Sequence, residues 1–294
     1  MEGWNVMTEP LVSIGMPCYN RLEQLRTAIE SIRNQSYKNL EIIISNDCSP
    51  NPEIYKMLDE YAAKDPRIRL FTQPIDLGCY GNYYFVLQQA TGKYFMYAQD
   101  DDTWEPDCIE LLVTALEAHP ESGLAISTVQ YVCNNQHYAS YRPVHRTPVF
   151  LLTGEKIAFF WMGVWRTDTL RLFDYDGEDI HGKDIIISSE AVLSVSYEHV
   201  DKILYNKTLY PNKARQYVED NPVCLLQMYK HFILRTTQSK QIPINNKLKL
   251  IIIIPAFGLR VIMMYLVQPF YFLGFYNRLR SKSRVTYNKV YSDD

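Results

Sequence analysis

Short apolar runs alternate with segments of helical spacing over the first 130 residues of the chain. The runs have the length and the β-branched content of buried strands. They occupy residues 11–17, 40–47, 68–74, 94–99 and 123–132. Between them, apolar residues recur every three or four positions, as Leu25, Ile29 and Ile32 do in the helix predicted over residues 22–34. This alternation predicts an α/β fold with a mostly parallel sheet and helices on both faces.

The alternation weakens in the second half of the chain, where polar stretches and scattered aromatic residues interrupt it. We therefore expect one domain over residues 1–217, made of a regular half at about 8–132 and a less regular half at 133–217. A separate helical region is expected over residues 218–294.

The C-terminal region is apolar and basic. Residues 248–276 are nearly all apolar, but Pro255 and Arg260 interrupt them, and Arg260 lies where a charge is costly for a spanning helix. From residue 240 onward there are nine Lys or Arg and two Asp, a net of +7, which leaves −10 for the rest of a chain whose total is −3. The favoured interpretation is a tail that lies on an anionic membrane surface, with packing on protein and a spanning helix as alternatives.

Composition narrows the class of protein and its compartment. The apolar fraction of 47% provides a real core and excludes a disordered chain. An acidic body with a basic tail does not indicate a nucleic-acid partner. The six cysteines form no C-x-x-C motif, and the first ten residues hold no apolar signal segment, which predicts a cytoplasmic protein at the inner face of the membrane.

Residues that could bind a ligand follow three of the predicted strands. Ligands of open α/β sheets bind beyond the carboxyl ends of the strands. The first strand ends in Pro17-Cys18-Tyr19-Asn20, the second reaches Asp47, and the fourth is followed by Asp100-Asp101-Asp102. Three adjacent carboxylates repel one another unless a cation neutralises them. Their hard oxygen ligands suit Mg²⁺ or Mn²⁺, and the alternative is a solvated acidic loop that caps the helix near Pro106.

The other two strand ends also allow two interpretations each. Asp47 could accept from a base N–H or a ribose hydroxyl, or could cap the helix that begins near Pro52. The ring of Tyr19 could stack on a nucleobase, or the Pro17–Asn20 segment could be an ordinary turn.

Taken together, the motifs are more specific than any one of them. In chain order they are Pro17-Cys18-Tyr19-Asn20, Glu41 to Ser49, Leu77-Gly78 with Asn82, Ala90-Thr91-Gly92-Lys93-Tyr94, and Asp100-Asp101-Asp102 with Pro106. This order and spacing resembles family 2 of the glycosyltransferases, the inverting nucleotide-sugar enzymes with the GT-A fold. The resemblance is strong over residues 11–116 and weaker to about residue 217. It implies a nucleotide-sugar half at 8–132 and an acceptor half at 133–217.

The resemblance also implies roles for the strand-end residues. Tyr19 matches the position beside the nucleobase, in a loop shaped by Pro17 and Asn20. Asp47 matches the residue that recognises the base, often uracil, which favours a UDP-sugar as donor.

Within the acidic triplet, Asp100 matches the position near the ribose and Asp101 the main ligand of a Mn²⁺ or Mg²⁺ ion. Asp102 is the second expected ligand. Many members have an Asp where this chain has Gln99, so a register of Asp100 and Asp102 is also possible.

The resemblance implies a catalytic Asp at the start of a helix about twenty residues before a strand that ends in Leu-Tyr. Asp184 has this spacing from Leu204 and is the expected general base, although Lys183 precedes it where Glu is usual. Asp179, in the literal Glu-Asp pair, and Glu190 are the alternatives.

The implied activity is transfer of a sugar from a nucleoside-diphosphate sugar to an acceptor hydroxyl, with inversion. The expected acceptor is a saccharide or a lipid-linked head group in envelope polysaccharide or glycolipid synthesis. The aromatic stretch Phe160–Arg166 resembles the acceptor side or forms core packing, and Lys207 or Arg215 could add positive charge near the phosphates. The alternative to an enzyme is a catalytically degenerate domain that acts as a membrane-bound scaffold.

Overall fold

The structure is a computed structural model, and it describes residues 9–133, 136–141, 161–173, 183–208, 223–250, 254–255 and 259. Contacts between Cα atoms divide the chain into two units. The first unit comprises residues 1–126 and 162–175, and the second comprises 127–161 and 176–294. The boundary expected near residue 217 lies outside the described residues.

The strands and helices follow one another along the chain largely as the alternation predicts. The strands are β1 Val12–Cys18, β2 Leu40–Asn46, β3 Ile68–Thr72, β4 Tyr94–Tyr97, β5 Thr103–Trp104, β6 Ser122–Cys133, β7 Gln136–Tyr141, β8 Val164–Arg166 and β9 Ser196–Thr208. The helices are α1 Leu22–Arg33, α2 Pro52–Lys64, α3 Gly78–Gln88, α4 Cys108–Ala118, α5 Thr167–Leu170, α6 Lys183–Ser194 and α7 Val223–Gln238. Residues 244–250 are also helical.

The first unit is built on a parallel sheet in the order β3-β2-β1-β4. Val12 at the start of β1 pairs with Leu40 of β2 and with Tyr94 of β4, so the three strands run in register. β8 then adds antiparallel to β4 and also pairs antiparallel with β6. The α/β fold class is confirmed, and the parallel register brings the carboxyl ends of β1, β2 and β4 to one edge.

A glycine in β1 allows α3 to approach the sheet closely. A Cβ atom on Gly15 would lie 2.5 Å from Cζ of Phe95 on β4 and 2.8 Å from Cγ2 of Val86 on α3. Real Cβ atoms do not come this close to other carbon atoms, so any larger residue has to displace a neighbour. The lack of a side chain at Gly15 therefore allows α3 to pack closely against β1 and β4.

A buried carboxylate connects β1, β2 and β3 with the turn before β4. Oε1 of Glu41 accepts hydrogen bonds from Ser13 Oγ at 2.5 Å and from the N–H and hydroxyl of Thr91 at 2.6 and 2.7 Å. Its Oε2 accepts from Arg69 at 2.7 Å. Burial alone would raise the pKa of Glu41, but the hydrogen bonds from Ser13, Thr91 and Arg69 outweigh it and hold the pKa below its ordinary value.

In the second unit, α6 packs against α7 and β7 pairs antiparallel with β6. The buried carboxylate of Glu190 on α6 forms an ion pair with Arg235 on α7, and the side-chain amide of Asn246 donates to the Leu193 carbonyl at 2.7 Å. Within the described residues, no helix has both the length and the apolar content that crossing a bilayer requires.

Candidate active site

The loops that follow β1, β2 and β4 bring the predicted aspartates to one edge of the parallel sheet. The pKa of the Cys18 thiol, at the end of β1, is consistent with this proximity. Burial raises its pKa most, and the negative charges of Asp100 and Asp47 raise it further. Two contacts of the end of β1 and the loop after it show the same proximity: the N–H of Asp47 donates to the Cys18 carbonyl at 2.9 Å, and Arg21 lies 2.5 Å from Asp100. The residues predicted from separate strand ends are therefore neighbours.

Asp47 is a buried carboxylate that faces the start of α3. Its N–H donates to the Cys18 carbonyl at 2.9 Å, and its Oδ1 accepts from the N–H of Leu77 at 2.8 Å. Burial raises the pKa of Asp47, the N–H groups of Leu77 and Gly78 oppose this, and the Asp76 carboxyl adds to the rise.

The interpretation of Asp47 as a cap for the helix near Pro52 is wrong. That cap is Asn51, whose Oδ1 accepts from the N–H of Glu53 at 3.1 Å. The residue after Asp47, Cys48, has a left-handed backbone conformation with φ of 56°. The carboxylate of Asp47 accepts instead from the Leu77 N–H in the β3–α3 loop.

Asp100 and Asp101 share one basic partner. Nη1 of Arg21 lies 2.5 Å from Oδ1 of Asp100 and 3.5 Å from Oδ2 of Asp101. Burial raises the pKa of Asp100, Arg21 opposes this, Asp101 raises it again, and the N–H of Tyr19 donates to the carboxylate. The N–H of Tyr19 thereby connects the loop after β1 with the loop after β4.

The alternative of a solvated acidic loop does not fit this geometry. Asp100 and Asp102 are both buried, with residue exposures of 6% and 0%, and Asp101 is half-buried. The cap residue of α4 is Asp107, whose side chain makes no capping hydrogen bond. The carboxylates thus lie in the protein interior at the sheet edge, where carboxylate charge is costly without a counter-charge.

The loop after β1 presents an aromatic ring to solvent. Pro17 is buried inside β1, whereas Tyr19 is 46% exposed and Asn20 is exposed. An exposed ring beside the buried Asp47 and Asp100 can stack on a planar ligand at little cost in reorganisation. The assignment of Tyr19 to a nucleobase stays a prediction.

Sequence reasoning missed two side chains at this edge, Arg21 and Tyr83. Tyr83 on α3 is half-buried, and its hydroxyl forms a hydrogen bond with the Gln99 side chain. Burial raises the pKa of Tyr83 well above its ordinary value, and Cys79, Asp100 and Asp101 add to the rise. Gln99, the departure from the family pattern, thus contacts a phenol beside the acidic residues.

The donor set at this edge suits a divalent cation. Asp100 and Asp101 offer hard oxygen atoms, are largely withdrawn from water and have only a partial counter-charge. In the described part of the chain, the triplet does not gather three carboxylate ligands into one cage. One or two carboxylates with the remaining positions open is the arrangement in which Mg²⁺ is usually held together with phosphate groups.

The candidates for general base belong to the second unit. Asp184 is the second residue of α6, and its side chain lies outside the described part, as does the whole of Asp179. Glu190 is buried and paired with Arg235, so its carboxylate joins α6 to α7. Lys207 is half-buried on β9, and Arg215 lies outside the described residues.

The described part of the aromatic stretch over residues 160–166 is core. Trp161, Val164 and Trp165 are 3%, 0% and 1% exposed. Arg166 donates to the carbonyls of Ser122 at 2.9 Å and Leu116 at 2.7 Å, and so braces the end of α4. Of the two interpretations of this stretch, core packing is the one that these residues fit.

Comparison with known proteins adds to this geometry. A family model described as Glycosyl transferase family 2 matches residues 13–192. Over 110 residues the chain is 30% identical to the Escherichia coli UDP-Glc:alpha-D-GlcNAc-diphosphoundecaprenol beta-1,3-glucosyltransferase WfgD, which covers 37% of this chain and 42% of that protein. The matched segments span less than half the length of the curated relatives, for example 12%, 33% and 46% of three of them.

Two solved structures share the fold. Residues 1–349 of Staphylococcus aureus TarS, in complex with UDP-GlcNAc, superpose with a TM-score of 0.64 at 17% identity, over 79% of this chain and 68% of that one. The mannosyltransferase PcManGT from Pyrobaculum calidifontis, in complex with GDP-Man and Mn²⁺, gives a TM-score of 0.58 at 15% identity, over 82% and 69%. At these identities the likeness shows the fold alone.

Proposed function

The chain belongs to glycosyl transferase family 2, and from this premise we propose that it transfers a sugar from a nucleoside-diphosphate sugar to an acceptor hydroxyl with inversion. The observation that carries the proposal is that Asp47 and Asp100 both contact the end of β1 or the loop after it, at the carboxyl ends of parallel strands. The Asp47 N–H donates to the Cys18 carbonyl at 2.9 Å, and Arg21 lies 2.5 Å from Asp100. A site with an exposed aromatic ring, a buried carboxylate and an acidic pair suits a nucleotide that carries a diphosphate.

Each residue of this edge has a role in the proposal. Tyr19 stacks on the base, in the loop shaped by Pro17 and Asn20. Asp47, held by the Leu77 N–H through one oxygen, uses its second oxygen to accept from the base. Asp100 lies towards the ribose.

Asp101, with Asp102, would hold Mn²⁺ or Mg²⁺, an ion that neutralises negative charge on a leaving diphosphate. The Mn²⁺ in the PcManGT structure supports this choice of ion. A UDP-sugar is the favoured donor, because the TarS structure holds UDP-GlcNAc and the name of WfgD specifies UDP-Glc.

Asp184 is the proposed general base. Its carboxylate takes the proton of the acceptor hydroxyl while the hydroxyl oxygen bonds to the anomeric carbon. The bond from that carbon to the diphosphate breaks, and its electron pair leaves with the nucleoside diphosphate. One such displacement inverts the anomeric configuration and needs no covalent sugar–enzyme intermediate.

The proposed acceptor is a saccharide or a lipid-linked head group at the inner face of the cytoplasmic membrane. WfgD is named for a diphosphoundecaprenol-linked acceptor. In this chain, Ile244 and Leu248 lie four residues apart in a helical segment and are 68% and 54% exposed, beside the basic residues Lys247 and Lys249. Exposed apolar side chains among lysines suit an anionic lipid surface, and the same composition continues to residue 284.

The test is release of nucleoside diphosphate from a panel of UDP-sugars and GDP-sugars, with Mn²⁺, by wild type, Asp184→Asn and the surface control Asp59→Ala. We expect release by wild type and the control, and loss of release with retained UDP binding in Asp184→Asn. Full turnover in Asp184→Asn would remove the base assignment. Nucleotide binding by wild type without turnover of any donor would favour the scaffold alternative.

A further inference from the structure

The guanidinium of Arg21 is paired with the two carboxylates of Asp100 and Asp101, the acidic pair. Arg21 immediately precedes α1, and its side chain is 39% exposed, whereas those of Asp100 and Asp101 are 8% and 11% exposed. Among the described residues, it is the basic side chain that pairs with either carboxylate. The acidic pair thus has a counter-charge from the protein itself, on a side chain that is more exposed than the two carboxylates.

Arg21 and a divalent ion held by Asp101 would compete for the same acidic site. The guanidinium lies 2.5 Å from Oδ1 of Asp100 and 3.5 Å from Oδ2 of Asp101, within direct reach of both carboxylates. A doubly charged ion held by Asp101 would repel the guanidinium at close range. Because the Arg21 side chain is long and partly exposed, it can leave the carboxylates by changing its rotamer, without backbone movement.

We propose that Arg21 is an exchangeable counter-cation: it neutralises Asp100 and Asp101 in the donor-free enzyme, is displaced by the divalent ion, and then pairs with the donor diphosphate. This inference rests on the proposed function, because it takes Asp101 as a ligand of the ion, with Asp100 beside it. The pairing with the diphosphate follows from chemistry, since a guanidinium group binds phosphate oxygens in a bidentate manner. Arg21 already lies next to the acidic residues where the diphosphate is proposed to bind.

If Arg21 only held the start of α1 to the loop after β4, its removal would have a different effect. Removing such a tie lowers stability and leaves the affinity for the ion unchanged or weaker. Removing a competing cation makes the ion bind more tightly. The direction of the change in metal affinity therefore separates the two roles.

The experiment is a titration of nucleotide-free protein with Mn²⁺, with free Mn²⁺ followed by electron paramagnetic resonance. The variants are Arg21→Gln, Arg21→Lys and the control Arg26→Gln, which removes a half-exposed arginine of the same helix. We expect Arg21→Gln to bind Mn²⁺ about tenfold more tightly than wild type, the order of effect of one charge-assisted contact at a partly exposed site. Arg21→Lys should fall between them, and Arg26→Gln should match wild type.

A second titration uses UDP at saturating Mn²⁺, where Arg21→Gln should bind UDP about tenfold more weakly, a change of about 1.4 kcal/mol. Unchanged or weaker Mn²⁺ binding by nucleotide-free Arg21→Gln, or no binding by either protein, overturns the inference. Failure of wild type to bind UDP with Mn²⁺ would instead count against the proposed function. The two failures are thus read from different titrations.

Discussion

Glu41→Gln removes one charge from the centre of the first unit while keeping the side-chain shape. The carboxylate accepts four hydrogen bonds, three at Oε1 from Ser13 and Thr91 and one at Oε2 from Arg69. A glutamine can keep the three contacts at Oε1. Its amide nitrogen then faces the Arg69 guanidinium, where two donors meet without an acceptor.

The expected loss is about 2 kcal/mol of unfolding free energy. A hydrogen bond to a charged group contributes about 1.5–3 kcal/mol, and the contact with Arg69 is discounted because that side chain is 38% exposed. The three contacts at Oε1 lose charge assistance, which adds a smaller amount.

The loss also depends on pH, because the pKa of Glu41 is lower in the folded chain than in the unfolded chain. Such a group adds stability above its unfolded pKa of about 4.3 and loses that contribution as the pH falls through the folded pKa. The difference between wild type and Glu41→Gln should therefore be largest near pH 7 and shrink under acidic conditions.

Urea denaturation followed by circular dichroism measures the effect at pH 7 and at pH 4. The control is Glu60→Gln on α2, whose exposed carboxylate lies 3.9 Å from Lys64 and should matter by less than about 0.5 kcal/mol. A Glu41→Gln loss no larger than that of the control, or one that grows towards acid pH, would refute the reasoning.

Three further predictions follow from other parts of the chain. Gly15→Ala should lower the unfolding free energy by about 1–3 kcal/mol in urea denaturation, because the new methyl group overlaps Phe95 and Val86; a neutral result would contradict the close approach of α3. Asp47→Ala should weaken UDP binding by about tenfold in calorimetry and abolish the difference in affinity between uridine and cytidine nucleotides, since a buried acceptor for the base is removed. An unchanged preference for one base would mean that another residue makes the base contact. Truncation before Lys247 should abolish co-sedimentation with vesicles that contain anionic lipid but leave the release of nucleoside diphosphate intact; equal sedimentation of both proteins would give the tail another role.

Local periodicity was enough to predict β1 to β4 and the edge at which they end. β1 and β2 are short, apolar and followed by helices with a clear apolar face, so the pattern predicts both the strand and its direction. β3 and β4 continue the same regular spacing along the chain. β8 was not predicted, because a three-residue antiparallel strand has too few positions for an alternation to show. Its place beside β4 depends on pairings such as Phe95 with Trp165, which no local pattern contains.

The acidic residues of the candidate site could be selected from the sequence, whereas their hydrogen-bond and ion-pair partners could not. The carboxylates stand out because they follow apolar runs, whereas Arg21 pairs with a residue 79 positions away and Asp47 with a backbone N–H 30 positions away. The cap interpretation of Asp47 was wrong for the same reason, since it considered only the adjacent helix. Tyr83 gave no signal, because a tyrosine in an aromatic helix is indistinguishable from core until the neighbouring loops are placed.

The most direct test of the central claim is calorimetric binding of UDP in Mn²⁺ and in EDTA, by wild type, Asp101→Ala and Asp59→Ala. The account predicts tight binding only with Mn²⁺ for wild type and Asp59→Ala. It predicts weak, metal-independent binding for Asp101→Ala, because the ion then loses its carboxylate ligand. Equal UDP affinity in EDTA and Mn²⁺ for wild type, or undiminished Mn²⁺ dependence in Asp101→Ala, would contradict the claim that the strand-end carboxylates bind a nucleoside diphosphate through a metal ion.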